Sequence, residues 1–281
     1  MSHNTSVAHK TALLTAPIRL MWRDVKDSVR LQQVPSSRLN DQALLSAKDV
    51  HLDRIFRSEV IAKAFAEDQE EIAALQLPLS TGGVNPGDQR ALYYLARYFR
   101  PASVLEVGTH IGCSTVHLAL ALRPFTESRI LSVDITDVND PETQPWLSYH
   151  SKHAPREMTR RLGCGDQVRY HVEDSLQFMA DTDQRFDFIF LDGDHAGATV
   201  YKEIPLALRI LNPGGVIVLH DFFPEGKPLW KEEYPIKGPF RAVSRFAGEG
   251  QHIRAIPLGD LPWTTKRGGN TTSLALLTRS H

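Results

Sequence analysis

The sequence predicts an α/β protein: a seven-stranded, mostly parallel sheet with helices on both faces, preceded by an N-terminal helical arm. Five short runs rich in Val, Ile and Phe alternate with helix-like stretches, the pattern of parallel strands buried on both sides. Two more apolar runs near the end, separated by a Gly-Gly turn, add strands at one edge. With 281 residues, 42% hydrophobic and 23% charged, the chain has an ordinary globular composition and can bury a sizeable core.

The five runs are Ser103–Val107, Ile130–Val133, Val168–Val172, Phe186–Leu191 and Val216–Leu219; the last two are His252–Pro257 and Ser273–Thr278, on either side of Gly268-Gly269. Helices are expected at Ser114–Leu122, Trp146–Leu162, Leu176–Met179 and Thr199–Leu211. Upstream, the loop Thr81-Gly-Gly-Val-Asn-Pro-Gly-Asp88 leads into a helix over Gln89–Phe99, which Pro101 stops. Residues 1–80 read as the arm and 81–281 as the main domain. Periodicity is weak through Arg38, where partial mobility is expected, and becomes helical from Asp41 to Leu77.

A net charge of −1, from 32 basic and 33 acidic residues, argues against nucleic acid or an anionic membrane as main partner. The two cysteines, Cys113 and Cys164, cannot build a disulfide framework or a cysteine-rich zinc site. No run of about 18 apolar residues is present, and the polar N-terminus lacks a signal-peptide core. A cytoplasmic location is expected.

In such a sheet, ligands lie beyond the carboxyl ends of the strands near the switch point, which directs attention to Val104–Leu122. Gly108 and Gly112 let the backbone turn sharply and approach a ligand. Ser114 opens the next helix, whose free N–H groups suit an anion or carboxylate. Gly-Thr-His-Ile-Gly departs from the dinucleotide pattern Gly-x-Gly-x-x-Gly, and Glu106 favours a cationic or amino-bearing ligand over pyrophosphate. Asp134 ends the second strand, where a carboxylate can hold ribose hydroxyls; Asp174 and Ser175 end the third, near where an adenine edge would lie. Asp174 and Ser175 are equally suited to capping a helix.

Leu105–Ser114, Val133-Asp134, Glu173-Asp-Ser175, Phe186–His195 and Asn212–Asp221 follow one another in an order that resembles the motifs of class I S-adenosylmethionine (SAM)-dependent methyltransferases, a Rossmann-like fold. The likeness covers roughly residues 80 to 280, is nearest to the bacterial macrolide and aminocoumarin sugar O-methyltransferase group, and is more distant from catechol-type enzymes. It implies that Glu106, Gly108, Gly112 and Ser114 surround the methionine part of SAM, that Asp134 holds the ribose, and that Asp174 and Ser175 hold the adenine. The long loop Asp221–Pro239, with Phe222, Trp230 and Tyr234, mixes aromatic and polar groups that suit a small hydroxylated acceptor.

Asp192-Gly-Asp-His195 ends the fourth strand and His220-Asp221 the fifth. Parallel neighbours lie about 4.8 Å apart, so the two groups meet at one sheet edge. Carboxylates there suit Mg²⁺, and a bound metal would lower the pKa of an acceptor hydroxyl. By the resemblance, Asp192 and Asp221 are metal ligands, and His220 replaces an acidic residue, which favours Mn²⁺ or a softer ion over Mg²⁺. His195 or Asp194 is the general base: an imidazole titrates near pH ~6.5, and a neighbouring carboxylate is the alternative. The rival readings are a metal-independent methyltransferase, a nucleotide-dependent oxidoreductase and a non-catalytic SAM-binding protein. The amphipathic arm also raises a homo-oligomer as a hypothesis.

Overall fold

A computed structural model of the chain describes residues 5–78, 81–231 and 233–280, with side-chain surroundings from Arg19 onward. The first residues of the stretch expected to be mobile, 1–4, lie outside the described residues. The sheet has seven strands in the order β3-β2-β1-β4-β5-β7-β6: β1 (Ser103–Val107), β2 (Arg129–Asp134), β3 (Val168–Val172), β4 (Phe186–Leu191), β5 (Leu211–Leu219), β6 (Ile253–Pro257) and β7 (Ala275–Arg279). Strands β1 to β5 are mutually parallel, and β7 runs antiparallel to both β5 and β6. The chain leaves β1 toward β2 and β3, then returns to β1's other side as β4. That reversal places the switch point between β1 and β4.

Each face of the sheet carries its own core. Alternation along β1 sends Val104 to the side covered by α4 (Pro86–Phe99) and α5 (Cys113–Leu122), and sends Leu105 and Val107 to the side covered by α7 (Ser175–Asp181), α8 (Gly197–Ile210) and α9 (Gly238–Gly248). Every residue of α5 is buried, as its nearly unbroken apolar sequence requires. Helix α4 begins at Asn85, whose side chain accepts from the Gly87 and Asp88 N–H groups, with Pro86 at the first helical position.

Three sequence expectations need revision. Trp146–Leu162 is not one helix: a 3₁₀ turn at Pro145–Tyr149 is separated from α6 (Pro155–Arg161). Pro155 cannot donate into a preceding helical turn, and His150 has positive φ, so the chain breaks there. The weakly periodic opening forms a 29-residue helix, α1 (Thr5–Gln33), packed on α8 and α9. Polar ties hold it where apolar spacing gave little signal: Asp24 pairs with Lys237 at 2.8 Å and with Arg241 at 2.5 Å. The stretch from Asp41 to Leu77 is broken as well. It holds 3₁₀ turns at Asp41–Ala43 and Ala47–Asp49 and the helices α2 (Leu52–Phe56) and α3 (Glu59–Ala74), and buried Leu44 bridges to Gly215 within β5. Among the described residues, no helix is long and apolar enough to cross a membrane.

Candidate active site

Three backbone hydrogen bonds continue the sheet past its strands and bring the loop starts together: Gly108 N–H to Val133 O (2.8 Å), Asp192 N–H to Val107 O (2.9 Å) and His220 N–H to Leu191 O (3.1 Å). Beyond these ends lies a cavity of about 790 Å³, with Gly108, His110, Asp134, Trp146, Tyr149 and Asp174 in its wall and Asp192, Asp194 and His195 at one end. This is the switch-point crevice that the topology favours for a ligand.

Asp134 stands in the wall and also fixes it, because its Oδ2 accepts from the His110 N–H and its Oδ1 from the Thr136 N–H, both at 2.9 Å. Asp174 and Ser175 line the cavity too. Asp174 is the N-cap of α7, accepting from Leu176 and Gln177 N–H, and the Ser175 hydroxyl donates to Glu203 Oε1 at 2.7 Å. Each therefore has a structural task besides facing the cavity.

Three residues expected around a ligand sit elsewhere. Glu106 is fully buried and absent from the cavity wall. The β1 alternation turns it under α5, where it accepts from Thr115 Oγ1 (2.5 Å) and Ser132 Oγ (2.6 Å). Burial pushes its carboxyl up to about 7, against the pull of the hydroxyls around it. Ser114 is buried in the first turn of α5. Gly112, with φ +78°, is held by packing, since a Cβ there would lie 2.8 Å from Pro155 Cβ. Gly108 faces the cavity, but its tightest neighbour is the Asp192 carbonyl, 2.3 Å from where a Cβ would stand.

His110, Trp146 and Tyr149 escaped the sequence reading. His110 takes a left-handed φ of 50° and meets the Tyr149 ring edge-on at 4.3 Å. Reading residues 146–162 as one helix concealed this aromatic wall. One signal was available: Ile135, directly after Asp134, is an apolar residue in a loop, and in the fold it is 72% exposed at the cavity.

At the far end, His220 Nδ1 lies 2.6 Å from Asp192 Oδ1 and 3.7 Å from Asp221 Oδ1, while its Nε2 lies 3.8 Å from the buried Asp88. Burial opposes a charge on this imidazole, but Asp192 and Asp221 outweigh it and hold the pKa well above the usual range. His195 Nε2 lies 3.5 Å from Asp221 Oδ2 and 3.9 Å from Asp192 Oδ1, and its side chain is 32% exposed. One ligand atom each from Asp192, His195 and His220 falls within 4.8 Å of the others. His195 thus joins the cluster that the sequence assigned to Asp192, His220 and Asp221, and Asp221 flanks both rings. Asp194 turns away, accepting from the Ala196 N–H (3.0 Å) and Thr199 Oγ1 (2.6 Å) at the start of α8.

Glu203 lies under this end of the cavity. Burial pushes its carboxyl up to about 7; the Ser175 hydroxyl pulls it back, and Asp194 and Asp174 add to the rise. The unfolded carboxyl titrates near ~4.3, so between there and about 7 the folded protein holds the extra proton and stability falls as pH rises. In Glu203→Gln this component is absent. Its melting temperature is expected to fall less than the wild type's between pH ~5 and ~7.5, which differential scanning calorimetry would measure.

A methyltransferase-domain family model matches residues 105–222, the span from β1 to the loop after β5. The chain is 28% identical over 173 residues to a catechol O-methyltransferase of Niastella koreensis, covering 58% of this chain and 70% of that protein. Among solved structures it resembles the O-methyltransferase TomG of Streptomyces achromogenes, involved in tomaymycin synthesis and solved with SAM (TM-score 0.51, 21% identity, 84% of this chain and 97% of that one). It also resembles an O-methyltransferase of Bacillus cereus solved with SAH (TM-score 0.52, 21% identity, 84% and 98%).

Proposed function

We propose that this chain, a class I SAM-dependent methyltransferase, methylates a hydroxyl of a small acceptor at the end of the cavity where His195 and Asp192 stand. The carrying observation is the placement of those side chains, contiguous with the crevice that suits the cofactor. SAM supplies an electrophilic methyl group when bound. The wall fits it: Asp134 offers carboxylate oxygens for ribose hydroxyls, Ile135, Trp146 and Tyr149 offer apolar and aromatic surface, and Asp174 and Ser175 offer polar atoms to the base. Asp134→Ala should weaken SAM binding by about 1–3 kcal/mol. Unchanged affinity by calorimetry in the folded variant would remove Asp134 from the cofactor site.

His195 Nε2 takes the acceptor's proton. The imidazolium so formed is faced by Asp221 at 3.5 Å and Asp192 at 3.9 Å, which stabilise its charge. Asp194, engaged at the α8 terminus, is the weaker candidate for base. His195→Ala is expected to lower kcat by about 10²-fold or more.

One observation favours a second reading, in which a divalent ion assists. Asp192, His195 and His220 each bring one ligand atom to within 4.8 Å of the others, a spacing that suits three ligands of one ion. Asp192, His195 and His220 would hold it, with Asp221 beside them, and the ion would lower the pKa of the acceptor hydroxyl. An imidazole-containing set suits Mn²⁺ better than Mg²⁺. Assays with and without a chelator separate the readings: activity that survives chelation leaves His195 as base, and activity restored by Mn²⁺ assigns it as a ligand.

A further inference from the structure

Helix α1 is turned inside out. A helix on the surface of a globular protein normally buries its apolar stripe. From Arg19 to Leu31 the side chains of α1 fall into three stripes, each at helical spacing. Leu20, Asp24, Asp27 and Leu31 face the protein: Leu31 is buried, Asp24 pairs with Lys237 and Arg241, and Asp27 accepts from the Gly197 N–H at 3.0 Å. Trp22, Val25 and Val29, with Met21 beside them, point the opposite way and are 48–59% exposed. Arg19, Arg23, Lys26 and Arg30 form the third stripe, on one flank of the second, and all four are exposed.

Single exposed apolar residues are ordinary, but a contiguous stripe opposite the packed face, here about 12 Å long, marks an interaction surface. Its charge says what covers it. Asp24 and Asp27 are the only acids between Arg19 and Gln33, and both are turned inward. A second copy laid stripe to stripe would add four more cations to the four already there and bring no outward acid from its own α1. A nucleic acid would meet the cations and leave Trp22, Val25 and Val29 in water. A bilayer with anionic headgroups meets both stripes at once: its acyl boundary takes the apolar side chains and its phosphates take the cations. Trp22 is the residue type that settles at that boundary. The net charge of −1 is an average over the whole chain and does not describe this face, which carries four cations.

From the outward stripe of Met21, Trp22, Val25 and Val29 and its cationic flank, we infer that α1 docks the protein on an anionic membrane surface, lying in the interface without crossing it. Leu20 and Arg23 of the same helix line a cavity of about 220 Å³ that reaches Asp194 and His195, so the docking helix adjoins the proposed active site. The inference stands independently of the methyl-transfer reading.

Flotation of the full chain with vesicles tests this. Binding to phosphatidylcholine vesicles containing phosphatidylglycerol is expected to be at least about tenfold tighter than to phosphatidylcholine alone, and to weaken as salt is added. Trp22→Ser combined with Val29→Ser should lower binding to the mixed vesicles by at least about tenfold. The melting temperature of that variant should stay near wild type, because both side chains are more than half exposed. Arg19→Gln, Lys26→Gln and Arg30→Gln together should remove the preference for the anionic vesicles. Binding to neither vesicle type, equal binding to both, or undiminished binding in the folded Trp22 and Val29 variant would overturn the inference. So would a dimer mass in light scattering that the same variant reduces to a monomer, which would give the stripe to a second copy.

Discussion

Asp192→Ala is expected to lower kcat by about 10³-fold or more while SAM still binds, at the upper end of what a single charge-stabilising group contributes. Among the described residues, Asp192 is the one carboxylate within 4 Å of both the His195 and His220 imidazoles through the same oxygen, at 2.6 Å from His220 and 3.9 Å from His195. Its loss removes one charge that stabilises the imidazolium at His195, or one ligand if an ion is held. It also leaves His220, buried and raised in pKa, with a weaker set of partners in Asp88 and Asp221. Breaking a buried ionic pair costs about 3–5 kcal/mol, so the alanine variant should melt earlier as well. Asp192→Asn separates the two effects. It keeps the volume and one oxygen, so more of the melting temperature should survive, with turnover still down by at least about 10²-fold. A fully active Asp192→Asn would reduce Asp192 to a structural partner of His220.

Much of the fold was legible in the sequence because buried parallel strands leave little choice of residue. Phe186–Leu191 could hardly be anything but a central strand, and it was one, to the residue. Helix α1 was not legible, because polar side chains hold it: Asp24 and Asp27 find partners more than 160 residues away in the chain, which no local periodicity records. The residues the sequence proposes for the site divide in the same way. Asp134, Asp174, Ser175, Asp192, His195, His220 and Asp221 end strands, so topology alone carries them to one edge. Glu106 ends a strand too, yet the two-residue alternation of β1 turns it into the core; the strand's end was readable and its facing was underused. Asp88 is a buried acid on a helix outside the matched motifs, brought beside His220 only by the way α4 packs.

These placements explain why the ionisable cluster gathers beyond β4 and β5 while the rest of the cavity wall comes from the loops after β1, β2 and β3. The loops after β1 and β3 are short, and the wall is tied back by its own carboxylates, Asp134 to His110 and Asp174 to α7. The loops after β4 and β5 carry the ionisable cluster. They are held from outside by α1, through the Gly197 N–H, and by the loop before α9. A Cβ on Gly238 would lie 1.9 Å from the His195 carbonyl, so that loop is pressed against the proposed base. The arm therefore adjoins the His195 end of the cavity, while the wall around Asp134 is built largely from the sheet's own loops.

Gly108→Val is expected to be the most damaging single change on the cofactor side, lowering SAM affinity by about 100-fold or more, roughly 2.7 kcal/mol. Two independent costs combine. Gly108 has φ +92°, outside the favoured regions for any residue with a Cβ, and holding a branched residue there costs about 1–3 kcal/mol. Its Cβ would also stand 2.3 Å from the Asp192 carbonyl oxygen, 2.7 Å from the Asp192 carbonyl carbon and 3.0 Å from Gly193 N. These are backbone atoms at the end of β4, which cannot swing aside as a side chain would. Strands β1 and β4 must then part at the switch point, widening the crevice floor and displacing Asp192 with it. Gly82 supplies the control. It borders the same cavity and has φ +82°, but nothing lies within 4 Å of its Cβ position, so Gly82→Ala meets only the backbone cost of about 1–2 kcal/mol. Calorimetric titration with SAM, alongside melting temperatures, should place Gly82→Ala near wild type in affinity and Gly108→Val far below it. Equal, small losses in both would show that backbone strain alone matters and that the contact between Gly108 and Asp192 does not shape the cofactor site.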